Sequence, residues 1–324
     1  MNSEPGLPTS ASPFAPIFLA GPTAVGKSEI ALCLAGQLLG EIVSTDSMQV
    51  YRGLDIGTAK PSAADRHRVP HHLIDILDLT ESFDAARFIR LAGQAVFEIQ
   101  SRRRTPIFCG GTGLYFKAYL SGIGEAPPTD PGLRAELEKT SFESLLKELR
   151  EKDSATFEKI DKQNPRRVIR AVEVIRLTGK PFSSQRAEWR SSGQAAPPQR
   201  IYFFTRKPDD LNARINARVD RMFARGLVGE TRDLLERDLA ENKTAMQAIG
   251  YRQVAEHLRG EYSLSETIER VKIRTRQFAK RQLTWFRRQL AGEWIELKAD
   301  ESPEAGAQRI GELLRRQTAE PKAD

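Results

Sequence analysis

The chain has 324 residues, 40% of them hydrophobic, which is enough to build the core of one large or two medium domains. Its N-terminus lacks the basic start and apolar block of a secretion signal, and no apolar run reaches the roughly 18 residues of a membrane span, so we expect a cytoplasmic globular protein. Two cysteines, Cys33 and Cys109, argue against a disulfide framework and are interpreted as small buried residues, while a net charge of +7 permits a polyanionic partner.

The first part of the chain alternates between strands and helices. After a tail predicted to be disordered (residues 1–16), the apolar runs at 17–20 and 106–109 and the segment EIVS at 41–44 predict strands. Helical apolar spacing follows the first of these strands, and a second helical pattern precedes the third. Continuous apolar strands separated by helices are typical of a parallel sheet flanked by helices, so the fold class is α/β.

The middle of the chain changes character, because helical patterns replace strands from residue 127 onward. The clearest helix begins at Asn164 as N-cap with Pro165 in its first turn, and ends at Gly179. The segment 191–199 is interpreted as a linker, and 200–204 as a strand that returns to the sheet. We therefore predict an α/β core at 17–126 and 199–310, interrupted by a helical insertion domain at 127–198.

The last third is predicted to be helical up to a flexible tail at 311–324. Its longest helix spans about 263–290, opens with a capping box formed by Ser263 and Glu266, and keeps Ile268, Val271, Phe278 and Trp285 near one side. Between Arg270 and Arg288 this helix carries eight Lys or Arg residues and no acid. Such a run is either a solvated surface or a binding face for a polyanion.

The octapeptide GPTAVGKS at 21–28 satisfies the phosphate-loop pattern between a strand and a helix. Backbone N–H groups of such a loop point at phosphate oxygens, Lys27 adds a positive charge, and the hydroxyl of Ser28 can reach a magnesium ion. The segment LIDILD at 73–78 is the nearest candidate for the acid that positions magnesium in triphosphate hydrolysis, and it is a weak match. A bound diphosphate that leaves is therefore favoured over a transferred γ-phosphate.

Asp46 follows the second predicted strand. The carboxyl ends of parallel strands are where doubly wound sheets bind ligands, so this carboxylate is expected to face the same crevice as the phosphate loop. There it can ligate a metal, accept a proton, or cap the next turn.

Taken together, these segments resemble the family of tRNA dimethylallyltransferases, also called tRNA isopentenyltransferases, in its short bacterial form. The matching motifs occur in the family's order: GPTAVGKS at 21–28, DSMQVYRGLDIGTAKP at 46–61, GGTGLYFKAYL at 110–120, NPRRVIRAVEV at 164–174, RINARVDRMFARGLVGE at 214–230, AIGYRQ at 248–253 and TRQFAKRQLTWFR at 275–287.

The resemblance implies a P-loop kinase-like fold that transfers a dimethylallyl group from its diphosphate to the exocyclic amine of the adenosine at tRNA position 37, beside the anticodon. Asp46 would accept the amine proton, Thr112 would contact the target base, and Lys27, Mg²⁺ on Ser28 and Arg214 or Arg218 would neutralise the leaving diphosphate. The diphosphate-binding residues implied are Gly21, Pro22, Thr23, Ala24, Val25, Gly26, Lys27 and Ser28.

The same resemblance implies contacts with the tRNA anticodon stem-loop, by an enzyme expected to be a monomer. The residues implied are Asp46, Ser47, Met48, Gln49, Thr112, Arg134, Arg166, Arg167, Val168, Ile169, Arg170, Gln247, Ala248, Ile249, Gly250, Tyr251, Arg252, Lys280, Arg281, Gln282, Leu283, Thr284, Trp285, Phe286 and Arg287. Two alternatives remain, which are a small-molecule kinase that uses ATP through the same loop and an RNA-binding ATPase switch without transferase activity.

Overall fold

A computed structural model describes residues 14–123, 127–185 and 200–319. Its residues divide into two compact units, the first made of 1–119 with 196–324 and the second of 120–195. The second unit therefore covers nearly the segment predicted as an insertion at 127–198. The predicted linker at 191–199, and the predicted tail up to residue 13, lie outside the described residues.

In the first unit, the described residues form a six-stranded parallel sheet in the order β3-β2-β4-β1-β5-β6. The strands are β1 (Ile17–Ala20), β2 (Gly40–Thr45), β3 (His71–His72), β4 (Thr105–Gly110), β5 (Arg200–Thr205) and β6 (Glu293–Glu296). The predicted α/β class is confirmed. The edge strands β3 and β6 were not predicted, because β3 has only two residues and β6 buries only Ile295 among its four.

The helices of the first unit are α1 (Lys27–Leu38), α2 (Ala63–Arg68), α3 (Ala85–Ser101), α4 (Gly113–Ser121), α10 (Pro208–Ala224), α11 (Leu227–Leu235), α12 (Tyr251–Leu258), α13 (Leu264–Gln289) and α14 (Pro303–Ala319), with a 3₁₀ turn at Ala245–Gln247. The helices of the second unit, α5 to α9 in chain order, are given below. Within the described residues, no helix combines the length and the apolar composition needed to cross a bilayer.

The two faces of the sheet bury different side chains because successive residues of a strand point in opposite directions. Ile17 and Leu19 of β1 join an aliphatic core with residues of α1 and α14. Phe18 lies on the other face and stacks on Phe108 of β4 at a centroid distance of 4.8 Å. This aromatic layer continues through α4 and reaches Phe286 of α13, so α13 is packed against the sheet beside the phosphate loop.

Two sequence expectations about helices are wrong. The tail predicted from residue 311 belongs to α14 as far as Ala319, because Ile310 and Leu314 are buried in the aliphatic core. On α13, the expected apolar side is rotated: Phe278 is 37% exposed, and the buried residues are Thr267, Val271, Ala279, Gln282 and Phe286. Polar side chains hidden on the buried face explain why apolar spacing alone misplaced it.

The second unit consists of helices in its described part: α5 (Pro131–Lys139), α6 (Phe142–Lys152), α7 (Ser154–Lys159), α8 (Pro165–Thr178) and α9 (Phe182–Gln185). Their core contains Leu137, Leu145, Leu149, Val168, Val172 and Ile175. The Asn164 side chain accepts a hydrogen bond from Arg167 N, and Gly179 closes α8 with a φ of 68°, so both ends of this helix are as predicted.

Candidate active site

The phosphate loop is braced through its carbonyl oxygens. Lys27 Nζ donates to Pro22 O at 3.0 Å, Arg214 Nε donates to Ala24 O at 3.0 Å, and Arg206 Nε donates to Val25 O at 2.7 Å. Helix α1 starts directly after Gly26 and has no side-chain cap there. The first N–H groups of a helix have no partner within it, so they remain available to an anion.

A cavity of about 300 Å³ opens in front of this helix end, within the first unit. Its lining includes five cations, one acid and a few small or apolar residues: Lys27, Arg214, Arg218, Arg221, Arg225, Glu29, Ala24, Gly26, Ser28, Ile56, Ala59, Ala217 and Met222. Burial lowers the pKa of Lys27 and of Arg218 from their ordinary values. The lowered pKa values mean that burial disfavours the charged forms of both side chains. An anion bound between them would stabilise the charged forms, so the cavity suits a small polyphosphate.

Asp46 and Thr112 end adjacent strands and are brought together there. Asp46 Oδ1 accepts hydrogen bonds from Met48 N at 2.8 Å and Gln49 N at 3.3 Å, so this carboxylate does cap the next turn. Thr112 Oγ1 accepts from Ser47 N at 3.2 Å. The second carboxylate oxygen of Asp46 makes no hydrogen bond with any described residue, which leaves it available for chemistry.

Asp46 is also electrostatically connected to the cation cavity. Burial is the main cause that lowers the pKa of Lys27 and of Arg218, and the negative charge of Asp46 acts in the opposite direction on both. Asp46 and Thr112 do not line the cavity itself. They follow the neighbouring strands β2 and β4, and Gln282 connects the phosphate loop to this place by bonding Thr23 N and Gly111 O, next to Thr112.

The segment 54–60 forms one wall of the cavity and is held by residues for which no such role was predicted. The Glu230 carboxylate accepts hydrogen bonds from Ile56 N at 2.8 Å and Gly57 N at 3.3 Å, and Tyr251 Oη donates to it at 2.6 Å. In turn, Thr58 O accepts from Arg218 Nη2 at 3.3 Å and from Gln49 Nε2 at 3.4 Å. Glu230 therefore supports Arg218 indirectly, through the 54–60 segment. The only sequence signal for Glu230 is its place in a family motif.

The weak candidate LIDILD is not beside the phosphate loop. Asp75 pairs with Lys60 at 2.5 Å and with Arg66 at 2.6 Å, next to the edge strand β3. The Lys60 side chain is 2% exposed and also donates to Tyr51 O at 2.9 Å. Asp75 is therefore occupied in fixing the 54–60 segment, and a magnesium role for it has no geometric support.

Helix α13 closes the site through close contacts with the glycines that follow β4. Gln282 accepts from Thr23 N at 2.9 Å and donates to Gly111 O at 2.8 Å. A Cβ on Gly111 would lie 2.3 Å from the Gln282 amide, and one on Gly113 would lie 2.1 Å from the Trp285 ring. Gly111 and Gly113 are therefore needed for the approach of α13.

The predicted tRNA contacts divide into exposed and buried side chains. Lys280, Arg281, Thr284 and Arg287 are exposed on α13, and Gln247 and Arg252 are exposed next to and on α12. Val168, Tyr251 and Phe286 are fully buried. Predicting contacts through these three side chains was wrong, because they pack in the core; Ile169, Ala248 and Gln282 are buried as well. Such residues can support an RNA-binding surface from below.

In the second unit, two predicted contact residues are held by a buried acid. Arg134 Nη1 lies 3.3 Å from Glu173 Oε2, and Arg170 Nη1 lies 2.8 Å from the same oxygen. Glu173 is 0% exposed, so it fixes both guanidinium groups from beneath. Arg166 and Arg167, at the start of α8, are exposed.

The chain is similar to known proteins over most of its length. A family model described as IPP transferase matches residues 49–289. The tRNA dimethylallyltransferase 1 of Trichlorobacter lovleyi is 45% identical over 284 residues, which cover 86% of this chain and 92% of that protein. The crystal structure of the tRNA isopentenylpyrophosphate transferase of Bacillus halodurans superposes with a TM-score of 0.68 at 37% identity, covering 94% and 97% of the two chains. A eukaryotic dimethylallyltransferase acting on tRNA gives a TM-score of 0.77 at 28% identity, covering 96% and 81%.

Proposed function

The chain belongs to the IPP transferase family, and on that premise we propose that it transfers a dimethylallyl group from dimethylallyl diphosphate to the exocyclic amine of adenosine 37 in tRNA. The observation that carries the proposal is an open, cation-lined phosphate loop with Asp46 and Thr112 following the carboxyl ends of the neighbouring strands β2 and β4. The relatives' names support a tRNA substrate and a dimethylallyl donor. The nucleotide position and the anticodon stem-loop come from the motif resemblance.

The donor's diphosphate would bind at the N-terminus of α1. Lys27, Arg214 and Arg218 line that part of the cavity and supply positive charge where the leaving group accumulates negative charge. Because these groups are already held by Pro22 O, Ala24 O and Thr58 O, little rearrangement is needed when the donor arrives. The diphosphate is thereby both anchored and activated as a leaving group.

We propose magnesium as the cofactor. Within the described residues, no three His, Cys, Asp or Glu side chains come together as a metal site. Ser28 lines the cavity at the start of α1, which fits an ion that takes few protein ligands and completes its shell with phosphate oxygens and water. When bound, the ion would neutralise further charge on the diphosphate.

Proton removal is assigned to Asp46. The amine of adenine is a weak nucleophile because its lone pair is delocalised into the ring, so a base is needed as the new bond forms. The amine nitrogen bonds to the first carbon of the dimethylallyl group, the bond from that carbon to the diphosphate oxygen breaks, and the proton passes to the free oxygen of Asp46. Thr112, fixed by its bond to Ser47 N, would orient the base.

The target base must leave its stack to reach this crevice. The exposed residues Lys280, Arg281 and Arg287 on α13 are candidates for contacts with the tRNA backbone. In the second unit, Arg166 and Arg167 are further candidates. We propose that the enzyme works as a monomer in the cytoplasm.

The test is a transfer assay with defined substrates. The protein is incubated with dimethylallyl diphosphate, magnesium and unmodified tRNA, and the digested tRNA is analysed by mass spectrometry for dimethylallyl adenosine at position 37. A parallel arm compares ATP and dimethylallyl diphosphate as thermal stabilisers, because a specific ligand stabilises by mass action. Stabilisation by ATP alone, without modified adenosine, would favour the kinase alternative and refute the proposal.

A further inference from the structure

Helix α10 presents a row of four arginines to the donor cavity. Arg214, Arg218, Arg221 and Arg225 follow one another at spacings of four, three and four residues, which places them on one side of the helix, and all four line the cavity. At a rise of about 1.5 Å per residue, the row from Arg214 to Arg225 extends over about 16 Å. The two phosphate groups of one diphosphate are far shorter than that.

The inner and outer halves of the row differ in their contacts. Arg214 and Arg218 are half-buried and donate to backbone carbonyls of the phosphate loop and of the opposite wall. Arg221 and Arg225 are exposed, and neither guanidinium group forms a hydrogen bond or an ion pair with a described residue. The nearest acid along the helix, Asp220, is paired with Lys272 at 2.8 Å. The outer pair therefore has no structural partner within the described part of the chain.

We infer that Arg221 and Arg225 form an outer diphosphate subsite at the mouth of the cavity, through which the anionic donor reaches the phosphate loop and the diphosphate product departs. This rests on the proposed function and extends it. The positive charge of Arg221 acts on Arg218, whose pKa it contributes to lowering after the larger effect of burial, so the outer and inner positions are in electrostatic contact. Because the lining contains five cations and one acid, an anion at the outer subsite is attracted inward.

A small phosphate is favoured over the RNA backbone as the occupant. The cavity holds about 300 Å³ and its lining contains five cations against the single acid Glu29, an arrangement that concentrates a compact polyanion between walls of protein. Such charge mainly accelerates association and loses its effect as salt screens it. The outer subsite should therefore influence capture of the donor much more than the chemical step.

The experiment compares Arg221→Gln/Arg225→Gln with a control of equal charge change, Arg90→Gln/Arg232→Gln. Both control residues are exposed, and neither lines the cavity. Calorimetry with inorganic diphosphate at low and moderate salt, without tRNA, tests the subsite even if the transferase assignment fails. Steady-state kinetics with dimethylallyl diphosphate at saturating tRNA then tests its role in turnover.

For the cavity variant we expect kcat/KM for the donor to fall about three- to tenfold at low salt, mostly through KM, with a flatter salt dependence of diphosphate affinity than in the control. Diphosphate affinity and salt dependence equal to those of the control would overturn the inference. A loss of tRNA affinity with unchanged diphosphate binding would also overturn it, since the outer arginines would then contact the RNA backbone.

Discussion

Replacing Asp46 with Asn separates the three roles that a carboxylate at this strand end can play. In the structure, Oδ1 accepts from Met48 N and Gln49 N, and the amide oxygen of Asn can accept both of these hydrogen bonds. The turn after β2 should therefore keep its conformation, and the free energy of unfolding should change by less than about 1 kcal/mol. What is lost is the basic oxygen that makes no hydrogen bond with the described residues.

The expected effect is on chemistry. Positioned proton transfer contributes about 10²- to 10⁴-fold to a rate, so single-turnover transfer with saturating tRNA and donor should slow by about that factor in Asp46→Asn. Removing one negative charge near Lys27 and Arg218 makes the cavity more positive, so diphosphate affinity should stay equal or rise slightly. Binding titrations for donor and tRNA are run beside the kinetics.

Two results would refute the assignment of the base. Transfer within a fewfold of the wild-type rate would show that another group accepts the proton. A parallel loss of donor affinity and rate would show that Asp46 acts through the magnesium ion, because a neutral amide would hold the metal and its diphosphate less well. A lower melting temperature would show that the capping hydrogen bonds had failed after all.

Three further perturbations test other parts of the site. Burial lowers the pKa of Lys27, and only the protonated side chain attracts the donor, so affinity for dimethylallyl diphosphate should fall as the pH rises toward the ordinary lysine pKa of 10.5. The Lys27→Arg variant should bind the donor with little pH dependence. Identical calorimetric pH curves for the wild type and Lys27→Arg would contradict this prediction. Gln282→Leu removes one buried and one part-buried hydrogen bond, so urea unfolding should show a loss of about 1 to 3 kcal/mol in the free energy of unfolding. Reduced tRNA affinity at full stability would instead restore Gln282 as an RNA contact. Neutralising Lys280, Arg281 and Arg287 together should reduce the slope of log tRNA affinity against log salt concentration by about two units or slightly more. An unchanged slope would show that these side chains form a solvated surface and do not contact RNA.

The parts of the fold that could be predicted are those whose signals are local. Strands β1, β4 and β5 are mainly apolar runs. The starts of α8 and α13 are set by side chains within three residues of them, as with Ser263 and Glu266. The edge strands have no such signal. A two-residue strand such as β3 forms only because it can pair with β2. The position of β2 depends in turn on its pairing with the rest of the sheet.

The site shows the same division. The phosphate loop is a contiguous motif, and Asp46 and Thr112 follow predictable strands, so elementary sheet geometry placed all three at one edge. Glu230 was missed because its partners, Ile56 and Gly57, lie 174 and 173 residues away, and a carboxylate that accepts backbone N–H groups has no characteristic spacing in sequence. The structural role of Gln282 could not be predicted for a related reason, because its two partners are also remote backbone groups.

The brace around the phosphate loop has a consequence for how the protein is made. Thr23 is joined to Gln282 across 259 residues, Ala24 to Arg214 across 190, and Val25 to Arg206 across 181. Contacts between residues so far apart in sequence form late in folding, because the intervening chain must be ordered first. At a synthesis rate of about 5 to 20 residues per second, the loop leaves the ribosome roughly 10 to 50 s before its last supporting side chain does. The nascent chain therefore carries its most recognisable motif long before that motif has the rigidity to bind a donor.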